Sequence, residues 1–144
     1  MESFDAASSN MCPWISGATN WWSPSYNPRT GLFYVTAFEQ CGSEQGKFYL
    51  RAIDPQTGDT RWEYPMPGPS MMTAGTMTTA SNLVFAGDYG GHLIALDAVS
   101  GRKLWQFAMG RPIFASPMTY AVNGKQYVAI AAGSDIFSFA LSNN

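Results

Sequence analysis

The sequence is short of charge, of histidine and of cysteine, and each shortage removes a class of function. Asp, Glu, Lys and Arg make up 12% of the 144 residues, about half the share of an ordinary domain. Eight basic against ten acidic residues give a formal charge of −2, which leaves no electrostatic footprint for nucleic acid or anionic lipid. The two cysteines, Cys12 and Cys41, form no Cys-x-x-Cys and no Cys-x-x-Cys-His. Zinc-ribbon spacing and c-type haem attachment are therefore excluded. No apolar run reaches the ~18 residues of a transmembrane segment. Met1-Glu2-Ser3-Phe4-Asp5 has neither the basic nor the apolar part of a signal peptide. Hydrophobic residues, at 46%, exclude disorder by composition. Fourteen glycines and nine prolines punctuate the apolar stretches, and no segment sustains a 3.6-residue period. An all-β chain of short strands is expected.

What is present is a repeat. Ala52-Ile53-Asp54-Pro55-Gln56-Thr57-Gly58-Asp59-Thr60-Arg61-Trp62 recurs 43 residues later as Ala95-Leu96-Asp97-Ala98-Val99-Ser100-Gly101-Arg102-Lys103-Leu104-Trp105. That offset falls within the ~40–50 residues of a propeller blade. In the shared pattern, Ala-x-Asp-x-x-(Thr/Ser)-Gly-x-x-x-Trp, each residue type has a physical task. The Asp folds its carboxylate onto the following backbone as an Asx-turn. The Gly supplies positive φ at the bulged end of a hairpin. The Trp lies on the outgoing strand, where it can cover a neighbouring sheet, and the small Ala leaves room for its ring. By this logic Trp105, like Trp62, is expected to be a buried anchor between blades rather than a ligand contact.

Strands are predicted at 32–38, 47–54 and 60–64, then near 71–79 and at 82–87, 92–97 and 103–108, and finally at 115–121, 125–132 and 135–141. Asn123-Gly124 is a type I′ hairpin signal, and Asn27-Pro28-Arg29-Thr30-Gly31 repeats the turn chemistry without the Trp. The count amounts to about three four-stranded antiparallel blades, short of the ~4 of the smallest closed propellers. The expected fold is thus a partial β-propeller, an arc whose end blades have uncovered faces.

Beyond the repeat, Cys12-Pro13-Trp14-Ile15-Ser16-Gly17-Ala18-Thr19-Asn20-Trp21-Trp22-Ser23-Pro24-Ser25-Tyr26 and Thr30-Gly31-Leu32-Phe33-Tyr34-Val35 stand ahead of the first motif. Thr79-Ala80-Ser81-Asn82-Leu83-Val84-Phe85, Ala115-Ser116-Pro117-Met118-Thr119-Tyr120 and Gly124-Lys125-Gln126-Tyr127-Val128-Ala129 follow in order. This series resembles the late blades of the quinoprotein (pyrroloquinoline quinone, PQQ) dehydrogenases, in their alcohol dehydrogenase branch. The resemblance covers residues 11–141. It implies that 11–144 form the C-terminal part of an eight-bladed propeller, while residues 1–10 match nothing and stay unassigned. It further implies PQQ and usually Ca²⁺ near the propeller axis, a small alcohol-type substrate, a cytochrome-type electron acceptor and a periplasmic location. The family's general-base Asp and its Glu and Asn calcium ligands belong to earlier blades, so no catalytic or metal residue is assigned here. Four positions carry over as cofactor contacts: Asn20 and Trp21 in Gly17-Ala18-Thr19-Asn20-Trp21, and Gly75 and Thr76 in Thr73-Ala74-Gly75-Thr76. Many members have Trp at the position of Thr73.

Each of these residues also has a plainer reading. Asn20 can cap a turn before Trp21, and Trp21 or Trp22 can be core rather than a platform for a flat tricycle. Cys12 and Cys41 are expected as reduced thiols, on different sides of a strand hairpin, with a disulfide the alternative in an oxidising compartment. His92 is expected at the surface, and Asp54, Asp97 and Asp135 as turn residues. Gly87-Asp88-Tyr89-Gly90-Gly91 lacks the Lys-Ser/Thr of a phosphate loop. Two other functions stay open. One is a non-catalytic docking-repeat scaffold binding peptides or proteins, and the other is a non-functional remnant of a longer chain.

Overall fold

The computed structural model describes residues 12–13, 17–42, 45–68 and 74–141. Among them every regular element is a strand. The first sheet is β1 (Ser25–Asn27), β2 (Leu32–Glu39), β3 (Lys47–Ile53) and β4 (Thr60–Met66); the second is β5 (Thr76–Thr78), β6 (Leu83–Gly87), β7 (His92–Asp97) and β8 (Lys103–Ala108). The third has three strands, β9 (Met118–Val122), β10 (Lys125–Ala132) and β11 (Asp135–Ala140), in place of a full set of four. Every pairing is between sequence neighbours and antiparallel, as in successive propeller blades. No described helix is long and apolar enough to cross a membrane.

The repeat works as its chemistry requires. Ala52 pairs directly with Trp62, and Ala95 with Trp105, and in both hairpins the register shifts just after the Ala. Asp54 accepts the Gln56 N–H at 2.9 Å, and Asp97 accepts the N–H groups of Val99 and Ser100 at 3.1 and 2.8 Å. These backbone donors hold both carboxyls below the usual carboxylate range, led by Gln56 for Asp54 and by Ser100 for Asp97. Gly58 and Gly101 close the turns at φ +80° and +70°.

Three strands differ from the sequence pattern by two residues or more at one end. β5 is only Thr76–Thr78, and residues 71–73 lie outside the described part. β9 starts at Met118 rather than at 115; Pro117 has no N–H to give to a ladder. β4 runs on through Pro65 to Met66, which an edge strand allows.

The first two sheets share one core. Tyr34, Phe38, Phe48, Leu50 and Ala52 of the first face Val84, Ala86, Ile94 and Leu96 of the second. Burial pushes the Tyr34 phenol above its ordinary value, and its hydroxyl donates to the Ala98 carbonyl at 2.9 Å. Trp62 crosses the same junction: its indole N–H donates to the Ala98 carbonyl at 3.1 Å, and its ring lies 5.7 Å from that of Tyr34. A second cluster joins Leu93, Ile113 and Phe85 to Ile130, Val128, Phe137 and Phe139 of the third sheet.

Trp105 departs from expectation here. It does reach across to the third sheet, edge-on to Phe139 at 5.4 Å, but 40% of it stays exposed. The reason lies in what the neighbouring sheet offers each ring. Trp62 has the Ala98 carbonyl to receive its N–H, whereas Trp105 borders an open groove of about 800 Å³.

The far side of the third sheet has no cover. Met118, Val122 and Ile136 are 57%, 49% and 81% exposed, beside the stacked rings of Tyr120 and Tyr127. Such a surface on a chain this size favours association. Sedimentation of the isolated chain should show its weight-average mass rising with concentration; a compact monomer throughout would count against an open arc.

Candidate functional site

The starts of the innermost strands converge at one end of the arc. The Thr76 N–H donates to the Ser23 carbonyl at 2.8 Å, tying the second sheet to the first. A side chain on Gly75 would collide with the Ser116 hydroxyl and lie 2.8 Å from the Ser23 carbonyl. Ser23, Gly75 and Ser116, which lead into β1, β5 and β9, are therefore in mutual contact range, and only glycine fits between the two serines. Ser23 and Ser116 were not singled out from sequence. The signal that could have found them is the dipeptide Ser-Pro, which ends both loops at 23–24 and 116–117.

The four positions expected to face a cofactor divide into two pairs. Asn20 and Trp21 lie in the loop running into Ser23, and both are exposed, Trp21 by 67%. The Asn20 side-chain oxygen accepts the Trp21 N–H at 2.9 Å. That is the local turn role, and the group left to offer outward is the amide NH₂. Trp21 presents a flat, open indole, 5.7 Å from the ring of Trp22. Gly75 and Thr76 offer no free side-chain group. Thr76 is 4% exposed, its hydroxyl donating to the Tyr34 carbonyl at 3.1 Å and lying 2.8 Å from the Ser25 hydroxyl. These two residues join sheets and shape the end of the arc. Thr73 lies outside the described residues.

Trp22 is core, 5% exposed, and its indole nitrogen has no hydrogen-bond partner. His92 is half-buried, its Nδ1 lying 3.2 Å from each carboxylate oxygen of the buried Asp88. Asp88 also accepts the His92 backbone N–H at 2.8 Å, so the pair braces the β6–β7 turn. Asp135, expected in a turn, is instead the exposed first residue of β11, paired with Ala132 and 3.7 Å from Arg111. Among the described residues no three His, Cys, Asp or Glu side chains come together as a metal site.

The cysteines are not free thiols. Cys12 and Cys41 form a disulfide with Cα atoms 4.5 Å apart, inside the range a bridge requires. Separation along the hairpin misled the sequence argument, because the chain ahead of β1 folds back over the end of β2. There the Phe38 N–H donates to the Ala18 carbonyl at 2.7 Å, which brings residue 12 to residue 41.

A flat, polar cofactor suits part of this arrangement. Asn20 can donate to a carbonyl or carboxylate oxygen and Trp21 can cover a ring face, both from exposed positions beside the converging strand starts. Comparison with known proteins gives the class. Residues 66–128 match the PQQ family described as the glucose/ethanol/alcohol dehydrogenase β-propeller domain. With the repeat and the three sheets, the chain is similar to blades of the quinoprotein alcohol dehydrogenase propeller. The chain is 36% identical over 145 residues to the 1-butanol dehydrogenase (quinone) of Thauera butanivorans, covering 85% of this chain and 23% of that enzyme. It is 34% identical over 148 residues to the quinoprotein alcohol dehydrogenase PedH of Pseudomonas putida, covering 85% and 24%. The solved quinohemoprotein alcohol dehydrogenase ADHIIG of Pseudomonas putida HK5 superposes with a TM-score of 0.79 at 29% identity, covering 90% of this chain and 24% of that one. The chain thus spans about a quarter of the length of these relatives.

Proposed function

We propose that the chain supplies three consecutive late blades of a PQQ-dependent dehydrogenase that oxidises an alcohol-type substrate and passes electrons to an external, cytochrome-type acceptor. The observation that supports this most directly is the meeting of Ser23, Gly75 and Ser116 from three successive sheets, with Asn20 and Trp21 in the loop leading to it. When bound, PQQ supplies the two-electron acceptor for the hydroxyl-bearing carbon. In this chain the Asn20 amide would donate a hydrogen bond to it and the exposed Trp21 indole would cover a ring face, while Gly75 and Thr76 would set the backbone of the site. The base that takes the hydroxyl proton, and the Ca²⁺ expected by resemblance, are assigned to other blades. A periplasmic location is proposed with the enzyme, and the Cys12–Cys41 disulfide supports an oxidising compartment.

The test has two arms. The 144-residue chain alone, given PQQ and Ca²⁺, should show no dye-linked alcohol oxidation, and turnover would overturn its role as part of a larger ring. In a complete propeller carrying this segment, Asn20→Ala should release PQQ on gel filtration while the circular dichroism of the sheets is unchanged. Full retention and full activity would overturn the assigned contact.

A further inference from the structure

We infer that the Cys12–Cys41 disulfide is a positioning device: it holds the loop that presents Asn20 and Trp21 at the inner end of the blades. This rests on the cofactor role proposed for Asn20, and its first test is independent of that role. The loop is a strap between two ends. One end is fixed at the end of β2, where Cys12 is bonded to Cys41 just beyond that strand. The other end is Ser23, whose carbonyl is held by the Thr76 N–H at the inner edge. Between them Ala18, Thr19, Asn20 and Trp21 are all exposed, so burial does little to fix their course.

Three attachments remain along the described strap. They are the disulfide, the backbone bond from Phe38 to Ala18, and the buried ring of Trp22. Trp22 holds by apolar contact alone, since its indole nitrogen is unpartnered. A single exposed-side backbone bond contributes little net free energy. The covalent link, with a sequence separation of 29, is the one of the three that thermal motion does not break, and it limits how far the chain ahead of Ala18 can move from the end of β2. Neither sulfur takes part in chemistry in this role; the bond acts through Asn20 and Trp21.

Hydrogen exchange measured by mass spectrometry on the 144-residue chain tests the positioning directly. Three samples are compared: the oxidised chain, the chain reduced with dithiothreitol, and the Cys12→Ser/Cys41→Ser double variant. The amides of Phe38 and Thr76, which donate to the strap at Ala18 and Ser23, should exchange at least about tenfold faster without the bond, while those of Leu50, Leu93 and Ile94 keep their rates. Unchanged exchange at Phe38 and Thr76 would overturn the inference, and so would a rise of equal size in every sheet, which marks a general staple. A second measurement separates this inference from the proposed function. In a complete propeller carrying the segment, the double variant should lose PQQ on gel filtration as Asn20→Ala does, and combining the changes should add no further loss. If exchange at Phe38 and Thr76 rises while PQQ is fully retained, the positioning stands and the Asn20 contact is overturned.

Discussion

Trp62→Ala should lower the stability of the chain by about 2–4 kcal/mol, toward the lower side of the range for a large aromatic because its ring is partly rather than fully buried. Trp105→Ala should cost only about 1–2 kcal/mol. The two residues hold the same place in the repeat, so sequence alone assigns them one value. Their surroundings separate them. Trp62 lies tilted against Tyr34, donates to the Ala98 carbonyl and covers the Gly101 backbone, so its removal leaves a gap between two sheets and deletes a hydrogen bond. Trp105 is 40% exposed on the edge of a groove, with its neighbours on one side only, and water already reaches it. Chemical denaturation of the two variants beside the parent decides the matter. Equal losses, or a Trp62→Ala midpoint indistinguishable from the parent, would remove Trp62 as the anchor of the first junction.

The same contrast marks how far the sequence could be read. Short-range chemistry was legible: Asp54 and Asp97 form Asx-turns, both turn glycines take positive φ, and each motif Ala pairs with its Trp. These are decided within about a dozen residues, and the residue types leave few alternatives. The blade count was legible for a related reason, since the strands pair only with their neighbours in sequence. What could not be read depends on distant segments. The disulfide needed residues 12 and 41 to be brought together by a fold-back that no local pattern encodes. The burial of Trp105 depended on what covers it from the next sheet. At the site, the resemblance placed Asn20, Trp21, Gly75 and Thr76 in one region, but it gave no way to distinguish an exposed amide from a hydroxyl consumed between sheets. The contact of Gly75 with Ser23 and Ser116 joins three sheets, and so lay beyond any single motif.

The sharpest separation of local from long-range demand is expected at the two motif glycines. Both sit in the left-handed region, Gly58 at φ +80° and Gly101 at φ +70°, where an L side chain costs roughly 1–2 kcal/mol. A β-carbon on Gly58 would meet nothing within 4 Å, so Gly58→Ala should cost that amount and no more. A β-carbon on Gly101 would lie 2.6, 2.7 and 3.0 Å from Cδ2, Cε3 and Cγ of Trp62. These atoms belong to the root and fused part of a ring that is itself held by the Ala98 carbonyl, so the ring cannot swing aside without losing its hydrogen bond. Crowding of this kind adds about 1–3 kcal/mol, and Gly101→Ala should therefore exceed Gly58→Ala by at least about 1 kcal/mol. A double-mutant cycle isolates the cause. In a Trp62→Ala background the indole is gone, and the penalty at Gly101 should fall to the backbone cost seen at Gly58. If Gly101→Ala costs no more than Gly58→Ala, or costs the same with and without the indole, then Trp62 does not dock on that turn, and the first two sheets are held together by their apolar faces and the remaining hydrogen bonds such as Tyr34 to Ala98.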